Sequence, residues 1–345
     1  MIERLWTRVR GFFDRLFPQK PPQPGRFVAG SKLSWRGWLG ASLWVWPSRD
    51  YLVYVPSGYS RWKRRPLIVL LHGCRQTPED FATGTRIAAT ADRHGWLVLL
   101  PRQTDKANPW SCWNWFDRRT SAGDGEAAIV AAQVNAVRRA YRAHPRRVFA
   151  AGMSAGGALA ATLGVQHRSL FAGIFVHSGL ASGAASSALS ALDVMIHGAD
   201  TPYERIAAMA RGNPAKPRPP LPLLAIRGGR DEVVADINAV QLVRQYLVLN
   251  DRQNAVDRPP ASLPRPDAES TVRLADGRSF ERIDYRDGER VIVRLVRVPD
   301  LGHAWSGGDA ALSYNDPRPP DATGLLAEFV VEQVRLQRMF GFGRK

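Results

Sequence analysis

Short, uninterrupted apolar runs recur along this chain, and each ends at a glycine or proline turn before a stretch of helical periodicity begins. Residues 66–71 (PLIVLL) stop at His72-Gly73, 96–100 (WLVLL) stop at Pro101, and 147–151 (RVFAA) stop at Gly152. Runs this short and this apolar fit strands covered on both faces, which is the situation of a parallel sheet between helices. A fourth run, 221–226, follows the proline-rich PAKPRPPLP, and a fifth, 291–298, precedes Gly302-His303. Between the second and third, residues 126–141 place Ala127, Val130, Val134 and Val137 on one helical face. Strand alternating with helix in this rhythm predicts a mostly parallel, doubly wound α/β sheet flanked by helices.

The last third departs from that rhythm. Residues 256–268 (VDRPPASLPRPDA) carry too many prolines for a regular element. After them, two Asp-Gly pairs, Asp276-Gly277 and Asp287-Gly288, separate alternating runs and predict antiparallel hairpins feeding the fifth strand. These form a hairpin insertion ahead of His303. Residues 323–339 have Leu326, Phe329, Val330 and Val334 at helical spacing and predict a closing helix.

At the other end, residues 2–17 space Ile2, Leu5, Trp6, Val9, Phe12, Phe13, Leu16 and Phe17 as one face of a basic amphipathic helix, which the proline-rich 18–25 stops. The expected organisation is therefore an amphipathic helix and linker over 1–25 and a single α/β domain over 26–345. Residues 1–17 suit a granule or anionic lipid surface, or packing on their own domain or a partner chain.

Composition narrows the class. With 45% hydrophobic and 23% charged residues in 345, disorder is excluded as the whole answer. A formal charge of +17 gives a surface that attracts anions, yet the arginines are dispersed and no nucleic-acid-binding motif is present, so no specific nucleic-acid partner is expected. Two cysteines give neither a disulfide scaffold nor a metal spacing, and no metal or other cofactor is implied. The charged residues among the first 17 interrupt any secretory apolar core, and no run is long enough to cross a membrane, so the expected location is cytoplasmic, peripheral to a granule or membrane surface if the helix binds one.

The sharpest chemical signal is Gly152-Met153-Ser154-Ala155-Gly156, which sits between a strand and a helix-forming segment. A tight strand-to-helix turn of this kind lifts a serine into the open, where it serves as a nucleophile. A serine needs a base and an orienting carboxylate, which in this arrangement follow in the order acid, then histidine. His303, in the glycine-flanked loop after the last strand, is the base; His72, His177 and His197 read as structural. Asp231, presented by the turn Gly228-Gly229-Arg230 beyond the strand 223–226, is the acid, with Asp236 and Asp200 in reserve. The oxyanion donors are the amides of Ala155, next to the nucleophile, and of Cys74, after the strand that ends at His72-Gly73.

Taken together, His72-Gly73-Cys74-Arg75-Gln76, Cys112-Trp113-Asn114-Trp115, Gly152 to Gly157, Gly229-Arg230-Asp231 and Gly302-His303-Ala304-Trp305 resemble the polyhydroxybutyrate depolymerase family of esterases, within the α/β-hydrolases. The likeness runs over about 50–335. It implies an α/β-hydrolase fold and a serine carboxylic-ester hydrolase acting on hydroxyalkanoate polyester or oligomers through an acyl-enzyme, with feruloyl and acetylxylan esterases as the alternative. It also implies catalytic roles for Ser154, Asp231 and His303 and a disulfide between Cys74 and Cys112. Ser306 stands where the family often has proline. Trp110, Trp113, Trp115 and Trp305 fall in loops near the site, either to line an ester pocket or grip a polymer, with Trp113, Trp115 and Trp305 as the candidates, or to pack against the catalytic loops. A reading from another class makes the chain a basic surface-binding protein on a hydrolase scaffold.

Overall fold

The computed structural model describes residues 24–33, 48–200, 203–211, 219–252 and 262–339. The predicted helix over 2–17 lies outside them. The described residues build one ten-stranded sheet in the order β1-β2-β4-β3-β5-β6-β7-β10-β9-β8. Its centre is parallel: β4 (Leu97–Pro101), β3 (Leu67–Leu71), β5 (Val148–Met153), β6 (Gly173–His177), β7 (Leu223–Gly228) and β10 (Arg290–Val298). β1 (Arg26–Leu33) and β2 (Ser48–Val55) add an antiparallel edge that the apolar-run pattern does not reveal, because both strands are only partly covered.

Every residue of β3, β4, β5 and β6 is buried, as the uninterrupted apolar runs require. Alternate side chains enter opposite cores. Leu67, Val69 and Leu71 meet Val130 and Val134 of the helix Gly125–Ala140, Leu159 of Ala155–Gln166 and Leu242 of Asp236–Leu249. Ile68 and Leu70 meet Phe81, Ile87, Leu326 and Phe329 on the other face, the last two from the closing helix Ala322–Met339. The helix Ala155–Gln166 is buried almost all round, which explains its run of Gly and Ala: small side chains let it lie directly behind the sheet.

The hairpin insertion is present as β8 (Ala268–Arg273), β9 (Ser279–Asp287) and β10, antiparallel to one another, with Gly277 and Gly288 at positive φ in the two Asp-Gly turns. β10 joins it to the central sheet by pairing with β7, and a charge pair locks β9 onto β10. Arg294 on β10 and Asp284 on β9 face each other in register, and the guanidinium binds the carboxylate through two bonds of 2.7 and 2.8 Å. Both side chains are largely buried, at 13% and 6% exposure. Arg294 also reaches Glu332 of the closing helix at 3.5 Å, so removing Asp284 leaves the buried guanidinium only that longer contact. Asp284→Asn is expected to lower unfolding stability by about 3 kcal/mol in urea titration.

Candidate active site

The catalytic edge is the carboxyl end of the parallel strands, where crossover loops meet. β5 delivers Ser154, the loop after β7 delivers Asp231, and the loop after β10 delivers His303. Ser154 has φ 55° and ψ −123°, a backbone state that a non-glycine residue holds only when its surroundings impose it, at a cost of about 1–3 kcal/mol. The imposition is visible on both sides. A Cβ on Gly152 would lie 2.4 Å from the Gly156 carbonyl oxygen, and one on Gly156 would lie 2.2 Å from that of Leu71. The amide of Ser154 donates to the His177 carbonyl at 2.9 Å, fixing the turn to β6.

The Ser154 hydroxyl donates to Nε2 of His303 at 3.0 Å, and Nδ1 of His303 donates to Asp231 at 2.9 Å. The two loops are stitched together by their backbones: Gly229 N donates to Val298 O at 2.8 Å and Arg230 N to Leu301 O at 2.9 Å. Burial by itself would raise the Asp231 carboxyl, but the hydrogen bond and charge of His303, the Val234 amide and the Ser178 hydroxyl outweigh it and hold the group below the usual carboxylate range. Asp231 therefore stays ionised and keeps the imidazole oriented, with its proton on Nδ1 and Nε2 open toward the serine.

The loop after β3 is held just as closely. Gly73 donates to Gln76 Oε1 at 2.9 Å, Arg75 donates to the Trp110 carbonyl at 2.7 Å, and the amide of Cys74 lies between these two occupied donors. A Cβ on Gly73 would sit 3.6 Å from that of Ser154, so this loop borders the nucleophile. Cys74 and Cys112 form a disulfide that joins it to the Trp113-Asn114-Trp115 segment. That segment rests on Glu126, whose carboxylate accepts from the Asn114 amide at 2.7 Å, the Asn114 side chain at 2.9 Å and Gln103 at 2.6 Å. His72, Nδ1 donating to Gly73 O and Nε2 accepting from Gln103 N, is buried and pushed down to about 4 by desolvation, so it is a neutral structural brace.

The three tryptophans considered for substrate contact do not reach solvent. Trp113 is fully buried and donates to the His72 carbonyl at 3.1 Å; Trp115 is buried in the same core. Trp305 is enclosed by Phe81, Phe175 and a stacked His177, and donates to Thr323 at 3.1 Å. Their role is to anchor the catalytic loops, since an indole at the centre of a core gains more from burial than from a place in a groove. Trp110 is the exposed one, at 60%. Of the reserve acids, Asp236 pairs with Arg227 and Arg297; His197, read as structural, pairs with Asp193. Among the described residues no group of three or more His, Cys, Asp or Glu side chains could hold a metal ion.

Two residues went unmarked in the sequence. Ser178 is buried at positive φ directly after β6, donates its hydroxyl to Asp231 and accepts from Nδ1 of His177 at 3.2 Å. Its position, a polar residue ending a buried strand, was the available signal. Glu126 was hidden inside a helical apolar face.

With this geometry in hand, comparison with known proteins gives the family. The model named "Esterase PHB depolymerase" matches residues 49–265. The chain belongs to the polyhydroxybutyrate-depolymerase esterase family. Poly(3-hydroxyalkanoate) depolymerase C of Paucimonas lemoignei is 31% identical over 196 residues, 56% of this chain and 46% of that one. Feruloyl esterase B of Neurospora crassa is 29% identical over 161 residues, 46% of this chain and 50% of that one. The family member described here thus spans about half the length of the curated relatives it matches. In fold it is similar to the acetyl xylan esterase from Aspergillus awamori, with a TM-score of 0.61 at 18% identity over 80% of this chain and 94% of that one.

Two expectations follow. Ser178→Ala removes one donor from a buried carboxylate, so kcat on a soluble ester should fall by about 10–100-fold with KM little changed. His72 and His177 are held neutral, down to about 4 and about 3, so the unfolded chain takes up protons first as pH falls below 6.5. Asp231 acts in the same sense only at lower pH, its contribution being lost below the ordinary carboxyl value of 3.8. Urea midpoints should therefore fall steadily from pH 6.5 to about 4; a flat profile would show these groups are not buried neutral.

Proposed function

We propose that this protein is a serine carboxylic-ester hydrolase that cleaves hydroxyalkanoate esters, as polyester or oligomers, through an acyl-enzyme. The observation that carries this reading is the unbroken line Ser154–His303–Asp231, with spacings of 3.0 and 2.9 Å, in a member of this esterase family. Ser154 attacks the ester carbonyl as His303 takes its proton; the imidazolium is stabilised by Asp231 and returns the proton to the departing alkoxide. The amides of Cys74 and Ala155 bind the oxyanion, one from the loop bordering the serine and one from the first turn of the helix behind it. Water then repeats the sequence on the acyl-enzyme.

A second reading, a feruloyl- or acetylxylan-type esterase, has its own support. Beside the catalytic loop, beginning at Gln76, lies a cleft of about 550 Å³ lined by Arg49, Asp50, Thr77, Thr104, Asp105 and Ser111. Such a lining offers hydrogen bonds to a hydroxyl-rich leaving group. Relatives at comparable identity bear both kinds of name.

Hydrolysis of p-nitrophenyl esters, 3-hydroxybutyrate oligomers and acetylated xylan by the protein and its Ser154→Ala variant decides between them. The expected result is oligomer cleavage lost by more than a thousandfold in the variant. Preference for xylan would select the second reading, and activity equal in both proteins would remove Ser154 from the mechanism.

A further inference from the structure

At the opposite edge of the sheet, where the parallel strands begin, two loops and a helix end converge. Residues 56–66 lead into β3, residues 141–147 lead into β5, and the helix Ala322–Met339 ends beside them. They are joined directly: His144 N donates to Arg65 O at 2.7 Å, Leu67 N to Arg147 O at 2.9 Å, and Gln337 to Arg146 O at 3.0 Å. The first loop reads Ser60-Arg61-Trp62-Lys63-Arg64-Arg65. Trp62 is 90% exposed, the most of any large apolar side chain described. It is not loose, because Ser60 receives the amides of Trp62 and Lys63 at 3.3 and 3.2 Å and so holds the turn outward.

The charges around it share one sign. Arg61, Lys63, Arg64, Arg142, Arg146 and Arg338 are exposed on these segments. Arg61 and Arg142 both act on Tyr59, and burial together with the charges of Arg147, Arg64, Arg146 and Arg338 holds His144 down to about 4. The acid that touches the loop, Asp92, is turned inward onto the Ser57 amide and the Tyr54 hydroxyl. An exposed indole in a fixed turn, surrounded by guanidinium groups, matches the boundary of an anionic bilayer: the ring sits at headgroup depth while the cations face lipid phosphates. A polynucleotide would use the charges but leaves a lone, fully projecting indole without the row of aromatic partners on which successive bases stack.

We propose that this edge is a docking face for an anionic phospholipid surface, with Trp62 as its interfacial anchor and Arg61, Lys63, Arg64, Arg142, Arg146 and Arg338 as its electrostatic contacts. None of the residues named here belongs to the segment 1–17. It also sets an orientation, because β5, six residues long, separates it from Ser154 by roughly 20 Å. A docked molecule turns its catalytic edge to the water and remains open to soluble esters.

The test is co-sedimentation of the full chain with vesicles of equimolar phosphatidylcholine and phosphatidylglycerol, against pure phosphatidylcholine, over a range of salt. Binding is expected only to the anionic vesicles and should weaken with salt. The combined variant Arg61→Gln, Lys63→Gln, Arg64→Gln should bind on the order of a hundredfold more weakly. Trp62→Ala should lose affinity several-fold, by an amount that salt changes little. Both variants should hydrolyse a soluble ester as the parent does, which reports that they are folded, and saturating vesicles should leave that rate unchanged. The proposal is overturned if the loop variants bind like the parent, if phosphatidylcholine binds equally, or if vesicles block the soluble ester. It also falls if the parent prefers a polynucleotide to the vesicles and the variants lose that binding instead.

Discussion

Between the turn that carries Ser154 and the end of β3 there is no room for a side chain: Gly156 approaches the Leu71 carbonyl so closely that a single methyl would sit 2.2 Å from it. That contact brings the helix behind the nucleophile down onto the sheet and holds Ser154 at positive φ. The His72-Gly73-Cys74 loop comes alongside for the same reason, since it continues from Leu71. Ser154 and the His72-Gly73-Cys74 loop are thus positioned by one close backbone crossing, and the loops that carry His303 and Asp231, tied to each other by their own amides, close on it from β10 and β7.

Aromatic burial makes the site rigid. Trp113 and Trp305 each hold a catalytic loop by a single indole hydrogen bond from inside the core, so the loops move only if a large apolar surface is uncovered. Beneath Asp231, Ser178 and His177 continue the polar line into the interior. A buried carboxylate with several donors reorganises little when the imidazolium forms, which is what electrostatic preorganisation asks of it. The two edges of the sheet accordingly differ in character: polar groups converge inward at the carboxyl edge, whereas cations project outward at the amino edge.

How much of this was legible depended on the kind of information each feature used. The runs at 66–71, 96–100 and 147–151 announced buried strands because a strand covered on both faces has no polar positions to spare. The Asp-Gly pairs announced the hairpins because their backbone states favour glycine. The half-covered β1 and β2 gave no such signal. Trp113, Trp115 and Trp305 fall in loop-like sequence, which leaves both substrate contact and packing open; nothing local says whether an indole in a loop points into a cleft or, as here, back into the core.

Local chemistry, then, was determined by the chain alone: strand, tight turn and helix around Ser154, a glycine-flanked His303, and an Asp231 after a buried strand are each set by residues close in sequence, where sterics and hydrogen bonding act over a few bonds. Distance was decided by the tertiary structure. Ser154 and His303 are 149 positions apart and meet at 3.0 Å only because parallel crossovers return every strand's carboxyl end to the same edge. Ser178 under Asp231, Glu126 under Asn114 and the arginines gathered around His144 arise in the same way, from chain segments whose proximity no local pattern encodes.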